Sequence, residues 1–300
     1  MHRKRMEKPL VSVIITTYER GSELKRALIS VISQTYQNIE IIIVDDNTKD
    51  TYSQTIKNII KDCGDQRIKY IKNPKNLGGA MSRNAGIKNA RGEFIAFLDD
   101  DDEYLPEKIE KQLALFDKTS DKTALIYGYC QCVRNGKTID VYKNDCVGNC
   151  IFDGMRTCIA ATSQWMCRKK YLEAVGNFSD VPCKQDSTVI LKLLLAGYEL
   201  DRVPEVLSIY HDDHIPRISN KKASERIVGE EKLLNLCREN YDKITKLQEK
   251  EVEYYFACSL ARYYRITGDK NKYKKAIRTI LKTHPLSIKT FRTITHLFDK

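Results

Sequence analysis

Two apolar runs in the first hundred residues drive straight into acid, and this constrains the fold more than any other feature of the chain. Ile39-Glu40-Ile41-Ile42-Ile43-Val44 meets Asp45-Asp46-Asn47, and Phe94-Ile95-Ala96-Phe97-Leu98 meets four consecutive aspartates, Asp99, Asp100, Asp101 and Asp102. A third run, Leu10-Val11-Ser12-Val13-Ile14-Ile15-Thr16-Thr17, precedes them. Short continuous apolar runs of this kind are buried strands. Helical patterns separate them. Leu24, Ala27, Leu28, Val31 and Ile32 share one face, and a second helix spans about Tyr52 to Lys61. A short strand, Ile68-Lys69-Tyr70-Ile71, follows, and Asn76-Leu77-Gly78-Gly79 opens a helix that runs to about Ala90. Strand-helix alternation predicts an α/β fold, a mostly parallel sheet with helices on both faces. One rim of that sheet carries Asp45, Asp46 and Asp99 to Asp102, at the strand ends where such sheets bind ligands.

Four adjacent carboxylates repel one another and add nothing to stability. A hard divalent cation relieves the repulsion, because it takes oxygen ligands. If that cation also holds phosphates, the strand end suits a nucleotide diphosphate; a solvated acidic turn is the plainer alternative. Neither Gly-x-Gly-x-x-Gly nor a Gly-x4-Gly-Lys-Ser/Thr loop is present, so a glycine cradle for phosphate is unsupported. Phosphate must instead be met by metal and by cations such as Arg83.

Charge is uneven along the chain. The net charge is +11, yet residues 221–300 hold 19 Lys and Arg against 10 Asp and Glu. A basic region of this kind meets an anionic membrane surface or a phosphorylated lipid, or is a solvated helical face. Nucleic acid is disfavoured as a partner, since the acid rim repels phosphate without metal. The ten cysteines form no compact framework and read as reduced thiols. In the cluster Cys130, Cys132, Cys146 and Cys150, the first two have only one residue between them, short of the pair spacing that zinc sites prefer. No apolar stretch approaches the length of a membrane span. The basic start at residues 1–8 lacks the apolar core of a secretion signal, so the expected location is cytoplasmic, with the inner face of a membrane as a peripheral contact.

Taken together, several segments resemble the family 2 glycosyltransferases of GT-A fold. They are Val11-Ser12-Val13-Ile14-Ile15-Thr16-Thr17-Tyr18-Glu19-Arg20, Ser33-Gln34-Thr35-Tyr36, Ile42-Ile43-Val44-Asp45-Asp46-Asn47, Asn76-Leu77-Gly78 with Ser82-Arg83-Asn84, and Phe97-Leu98-Asp99-Asp100-Asp101-Asp102. Order and spacing match over about the first 115 residues, more weakly to about 219, and not beyond. The resemblance implies a Rossmann-like sheet and transfer of a sugar from a nucleotide-diphosphate donor, a UDP-sugar by expectation, with inversion at the anomeric carbon. It implies that Thr16 and Tyr18 line the base pocket and that Glu19 is among the nucleotide-sugar-binding residues. Thr16 departs from the proline frequent there. It implies that Asp46 accepts a hydrogen bond from the base and that Arg83 faces the pyrophosphate or braces the acidic rim. Asp101, with Asp99, would hold Mn2+ or Mg2+, and Asp99 or Asp100 would reach the ribose or the sugar. Within four aspartates in a row the assignment can slip by one.

The family's base is a carboxylate that opens a helix well after the metal motif. Asp186 in Pro182-Cys183-Lys184-Gln185-Asp186 fits, followed by the helical pattern Val189, Ile190, Leu193, Leu194. Relatives often have Glu-Asp here; this chain has Gln185-Asp186. Asp180 is a second candidate, and a helix cap is the structural alternative for Asp186. Trp165 lies toward the acceptor side, where it stacks on a sugar face or packs in the core. In Tyr210-His211-Asp212-Asp213-His214-Ile215-Pro216-Arg217, His214 or His211 is expected to touch metal or phosphate, and Arg217 to contact phosphate.

Beyond Lys222 the pattern is helical. One helix carries Ile227, Leu233, Leu234, Leu236 and Cys237, and a second carries Tyr254, Tyr255, Ala257, Leu260, Ala261 and Tyr264. After Gly268-Asp269 a third carries Tyr273, Ala276, Ile277, Ile280 and Leu281. The expected organisation is a basic tail over 1–8, a nucleotide-sugar-binding domain over 9–220 and a basic helical appendage over 221–300. Tyr273, Phe291 and Phe298 among basic residues suit a membrane interface and a glycan or lipid-linked acceptor in surface polysaccharide synthesis. The leading expectation is a metal-dependent hexosyl- or N-acetylhexosaminyl-transferase. A non-catalytic nucleotide-sugar-binding scaffold is the alternative, and it predicts eroded acids, whereas Asp46, Asp99, Asp101 and Asp186 are all present. A nucleotidyltransferase would need a glycine-rich, arginine-bearing loop after the first strand, which Thr16-Thr17-Tyr18-Glu19-Arg20-Gly21 does not provide.

Overall fold

The first half of the chain builds the rim that the apolar pattern predicts. In the computed structural model, which describes residues 8–212, 222–285, 287 and 290, the opening elements are β1 (Val11–Thr17), α1 (Ser22–Ile32), β2 (Ile39–Asp45), α2 (Asp50–Cys63), β3 (Ile68–Lys72), α3 (Gly78–Asn89) and β4 (Phe94–Asp99). The four strands pair in parallel in the order β3-β2-β1-β4. Thr16 lies level with Val44 on one side and Asp99 on the other. All four C-terminal ends therefore open on the same rim.

Period-two alternation divides the apolar strand residues between two cores. Val11, Val13 and Ile15 face α1, α2 and a later helix, α4 (Lys108–Phe116). Ile14, Ile42 and Val44 face α3 and, further along the sheet, α7 (Gln185–Leu195). Gly86 lets α3 lie close to β1, since a Cβ there would stand 2.5 Å from the Ile14 side chain.

Past β4 the sheet becomes mixed. β5 (Glu103–Tyr104), α4, β6 (Thr123–Arg134), β7 (Lys137–Tyr142), α5 (Ile151–Arg156), β8 (Trp165–Arg168), α6 (Lys169–Ala174), α7 and β9 (Glu199–His211) follow. The sheet continues β4-β8-β6-β9-β5, with β7 on the outside of β6. β8 is antiparallel to both neighbours. β5 pairs antiparallel with β9, Glu103 opposite Ile209. The acid turn is thus tied by its far end to the other edge of the sheet.

The three C-terminal amphipathic patterns form α8 (Ala223–Arg238), α9 (Lys246–Thr267) and α10 (Lys270–Thr283). A Thr245–Gln248 capping box opens α9, and Asp269 caps α10 by accepting from the Lys272 amide. The apolar faces share a third core with Met155 of α5 and Leu191 of α7. No described helix is long and apolar enough to cross a membrane.

Candidate active site

Three strand ends deliver the rim residues, and each end is held by hydrogen bonds rather than by apolar packing. At the end of β2, Asp45 is fully buried. Its Oδ1 accepts from the backbone and side-chain nitrogens of Asn47, and its Oδ2 from the Tyr70 hydroxyl at 2.6 Å. Burial opposes ionisation here, but these donors hold the Asp45 carboxyl below the usual range. Asn47 in turn accepts from the Glu19 amide at 2.6 Å. Glu19 has a left-handed backbone, φ 53°, and this bond fixes the turn after β1.

Asp46 is also buried. Its Oδ1 accepts from Asn73 Nδ2 at 2.9 Å and from the Leu77 amide at 2.8 Å, and its Oδ2 from the Gly78 amide at 2.8 Å. Asp46 therefore holds the loop that starts α3, and its carboxylate meets the positive end of that helix. A carboxylate has about four acceptor sites. Three are taken, leaving room for one further donor such as a base N–H.

The end of β4 is held differently. Asp102 closes a tight turn with its amide on the Asp99 carbonyl, and it accepts from the Ser163 hydroxyl at 2.8 Å. The same hydroxyl accepts from the Asp99 amide. This shapes the turn and aims Asp99, Asp100 and Asp101 at the rim. All three meet arginine. Arg83 Nη2 donates to Asp99 at 2.5 Å. Arg20 lies 3.5 Å from Asp100 and 3.3 Å from Asp101. Burial, and then the charge of Asp101, pushes the Asp100 carboxyl up to about 7, against the pull of the Thr17 hydroxyl and Arg20. The Tyr18 amide donates to Asp100 at 3.2 Å and its side chain is exposed. Thr16, level with Asp99, is half-buried.

Arg83 joins the acid turn to the candidate base. It is buried, and its Nη1 donates to Gln185 Oε1 at 2.7 Å. Gln185 supplies a neutral acceptor there. Asp186 follows in the first turn of α7, half-buried, accepting from the Ser187 amide and from Cys158 Sγ. Lys184, not Asp186, occupies the position before the helix. Asp180 is exposed in the preceding loop.

The structure decides between the two expectations for Trp165. Trp165 is completely buried. It stacks on Phe178 with centroids 6.1 Å apart and meets Phe97 edge-on at 5.0 Å. Strand β8 is sandwiched between β4 and β6, so the indole points into the core under α7 and no sugar can reach it. His211 ends β9, with Nε2 2.6 Å from Glu103 Oε1. His214 and Arg217 lie outside the described residues.

Arg20 and Arg26 are functional neighbours that sequence reasoning left without a role. Arg26 bridges Glu103 at 3.1 Å and donates to the Asp101 carbonyl at 2.9 Å. The signal for Arg20 was its place at the end of the first motif, but its partner lies 81 residues on.

Among the described residues, no group of three or more His, Cys, Asp or Glu side chains forms a cation cage. The donor set suits a cation held in part by substrate. Mg2+ and Mn2+ are hard ions that need only one or two carboxylates when phosphates complete the shell. Asp99 and Asp101 carry carboxylate oxygens at this turn. Arg20 and Arg83 already occupy cation positions against the turn.

Residues 12–176 match the family model described as glycosyl transferase family 2. An uncharacterized glycosyltransferase of Rickettsia felis is 30% identical over 278 residues, which cover 89% of this chain and 44% of that protein. The chain thus spans under half the length of this curated relative. Among solved structures, residues 1–349 of S. aureus TarS in complex with UDP-GlcNAc align with a TM-score of 0.68 at 17% identity, over 96% of this chain and 90% of that one. The mannosyltransferase PcManGT of Pyrobaculum calidifontis, in complex with GDP-Man and Mn2+, aligns with a TM-score of 0.59 at 17% identity, over 97% and 80%. At these identities the likeness is one of fold: a mixed sheet flanked by helices, GT-A in type.

Proposed function

We propose, on the premise that the chain belongs to glycosyl transferase family 2, that it is an inverting transferase. It would move a sugar from a nucleotide-diphosphate donor, a UDP-sugar first among candidates, to a hydroxyl of a glycan or lipid-linked acceptor. One observation carries this reading. The carboxylates of Asp99, Asp100 and Asp101 at the end of β4 lie against the Arg20 and Arg83 side chains and the Tyr18 amide, and a single guanidinium, Arg83, links them to the residue before Asp186.

The roles follow from chemistry. Tyr18 and Thr16 flank the base, with Glu19 and Asp46 beside them. Asp99 and Asp100 serve the ribose and the sugar. Asp101 and Asp99 would hold Mn2+ or Mg2+, which as a Lewis acid neutralises charge on the departing diphosphate. Arg83 supplies fixed positive charge next to that diphosphate. Asp186 takes the proton of the acceptor hydroxyl. The hydroxyl oxygen bonds to the anomeric carbon as the bond to the diphosphate oxygen breaks, so configuration inverts. TarS with UDP-GlcNAc and PcManGT with GDP-Man and Mn2+ support the donor class and the divalent ion. The outward residues of α10, Lys270, Lys274, Lys275, Arg278 and Lys282, are exposed and the helix holds no acid. This supports a peripheral contact with an anionic membrane and a lipid-linked acceptor.

The test is nucleotide release from a panel of UDP-, GDP-, CMP- and dTDP-sugars, with Mn2+ and with chelator. The expected result is metal-dependent release from one donor, lost in Asp186→Asn while donor binding persists. Collapse of binding in Asp186→Asn would make that residue structural. Neither release nor metal-dependent binding of any donor would favour the non-catalytic scaffold.

A further inference from the structure

We infer that the C-terminal helices set the position of the catalytic helix through a buried joint between Lys184 and Glu230, so that both are positioning residues for Asp186. This rests on the reading of Asp186 as the base.

The joint begins with a strained backbone. Lys184 has φ 61° and ψ 27°, in the left-handed region. An extended side chain gains nothing there, and such residues persist only where their surroundings over-determine them. Lys184 directly precedes Gln185 and Asp186, and its carbonyl accepts the Thr188 amide and hydroxyl. Its backbone therefore sets the direction in which α7 departs.

What fixes Lys184 comes from the C-terminal helices. Its Nζ lies 3.3 Å from Glu230 Oε1 on α8 and donates to the Tyr255 hydroxyl on α9 at 3.2 Å. Glu230 is only 2% exposed, and Ser259 of α9 donates to the same Oε1 at 2.8 Å. At the residue directly before Glu230, α8 touches the loop itself. A Cβ on Gly229 would stand 2.8 Å from the Cys183 carbonyl oxygen and 2.3 Å from its sulfur, so only glycine permits this approach. Lys232 donates to the Asp180 carbonyl at 3.1 Å. The loop that leads into α7 is gripped at three successive points by one helix.

This arrangement is poor as a stability device. Glu230 Oε2 is buried with no hydrogen-bond partner among the described residues, and a buried ion pair with an unsatisfied oxygen regains little of its desolvation cost. Its value lies in geometry. Gln185 accepts from Arg83, which also holds Asp99. A shift at Lys184 would reach both the base and the acid turn.

The experiment uses the full chain carrying Glu230→Gln, which keeps the shape and removes the charge. Expected are a fall in kcat of about 10- to 100-fold, binding of UDP with Mn2+ within about twofold of wild type, and faster amide exchange at 184–188 with α3 unchanged. Glu230→Asp, which keeps the charge, should recover most of the rate. A rate loss that merely tracks the folded fraction, equal loss of UDP binding, or an unchanged kcat would overturn the joint. Should Glu230→Gln not fold, Tyr255→Phe makes the same test with an expected loss of about 3- to 10-fold and is overturned by the same outcomes. If the wild-type protein turns over no donor, the functional reading falls. Amide exchange then decides the joint alone, and unchanged exchange at 184–188 overturns it.

Discussion

Strands β2 and β4 both end in acid on the same rim, yet they use their carboxylates in opposite ways. At β2 the oxygens of Asp45 and Asp46 are taken by amides, a tyrosine hydroxyl and two asparagines, with Lys72 standing 3.3 Å from Asp45. Most of these donors are neutral parts of the fold. At β4 the carboxylates of Asp99, Asp100 and Asp101 meet mainly arginine side chains, so positive charge already stands against them. The first pair builds the rim, and the second set is the one we propose to be exchangeable for a cation. Adjacent acids at a strand end are thus not one kind of signal. What separates them is whether the donors are mostly neutral groups or arginines.

The largest expected effect tests the exchangeable set. Asp101→Asn should lower transfer by more than about 100-fold, which corresponds to at least about 2.7 kcal/mol of transition-state stabilisation. Its melting temperature should hold or rise, because one of several repelling charges is gone. Full activity with Mn2+ would show that the set is not exchangeable and erase the contrast. Next in size is Asp46→Ala, aimed at the fixed set. Two amides and the Asn73 side chain lose their acceptor. Since unsatisfied buried donors cost about 1–3 kcal/mol each and some of these reach water, stability should drop by about 2–3 kcal/mol in urea unfolding. An unchanged midpoint would place Asp46 with the exchangeable acids.

This contrast also marks what the sequence could convey. Apolar runs and helical spacing foretold β1 to β4, α1 to α3 and α8 to α10, because each depends on near neighbours in the chain. They foretold that acids share a rim, because strand ends in a parallel sheet must. They could not foretell which acids are bound by what. Arg20 reaches Asp101 across 81 positions, and Arg83 reaches Gln185 across 102. The same limit explains Trp165. A four-residue strand gives too little pattern to tell its core face from its site face, and only the pairing of β8 between β4 and β6 decides it. Strands β6, β7 and β9 carried no readable signal, since β6 and β9 are long, bulged and partly buried.

A smaller effect sharpens the role of Arg20. If it stands where a cation will sit, removing it should free Asp100 and Asp101 for that cation. Arg20→Ala should tighten Mn2+ binding in the absence of nucleotide by roughly 5- to 10-fold, about 1 kcal/mol, the usual scale of coupling between two ligands of one site. Calorimetric titration with Mn2+ reads it directly. Weaker binding would mean that Arg20 shapes the turn rather than competing for it.

The smallest expected effect is a slope. Groups such as Glu40, Asp45 and Asp65 have carboxyls held low. Their stabilisation is present above the ordinary carboxylate range and is lost only as pH falls below it. Asp100 behaves in the opposite sense. Its carboxyl is pushed from 3.8 up to about 7, by burial first and by Asp101 next. Between those values the folded chain keeps a proton that the unfolded chain has released, so stability falls as pH rises. Without metal, the melting temperature should decline by a few degrees from about pH 4.5 to about pH 7. With Mn2+ the decline should flatten, since a cation beside Asp100 favours the ionised form and lowers its pKa. Asp100→Asn should remove the slope in the metal-free protein and raise the melting temperature at pH 7. The same slope in Asp100→Asn would trace it to another group. The exchangeable acids would then differ from the fixed ones in their partners but not in their cost to the fold.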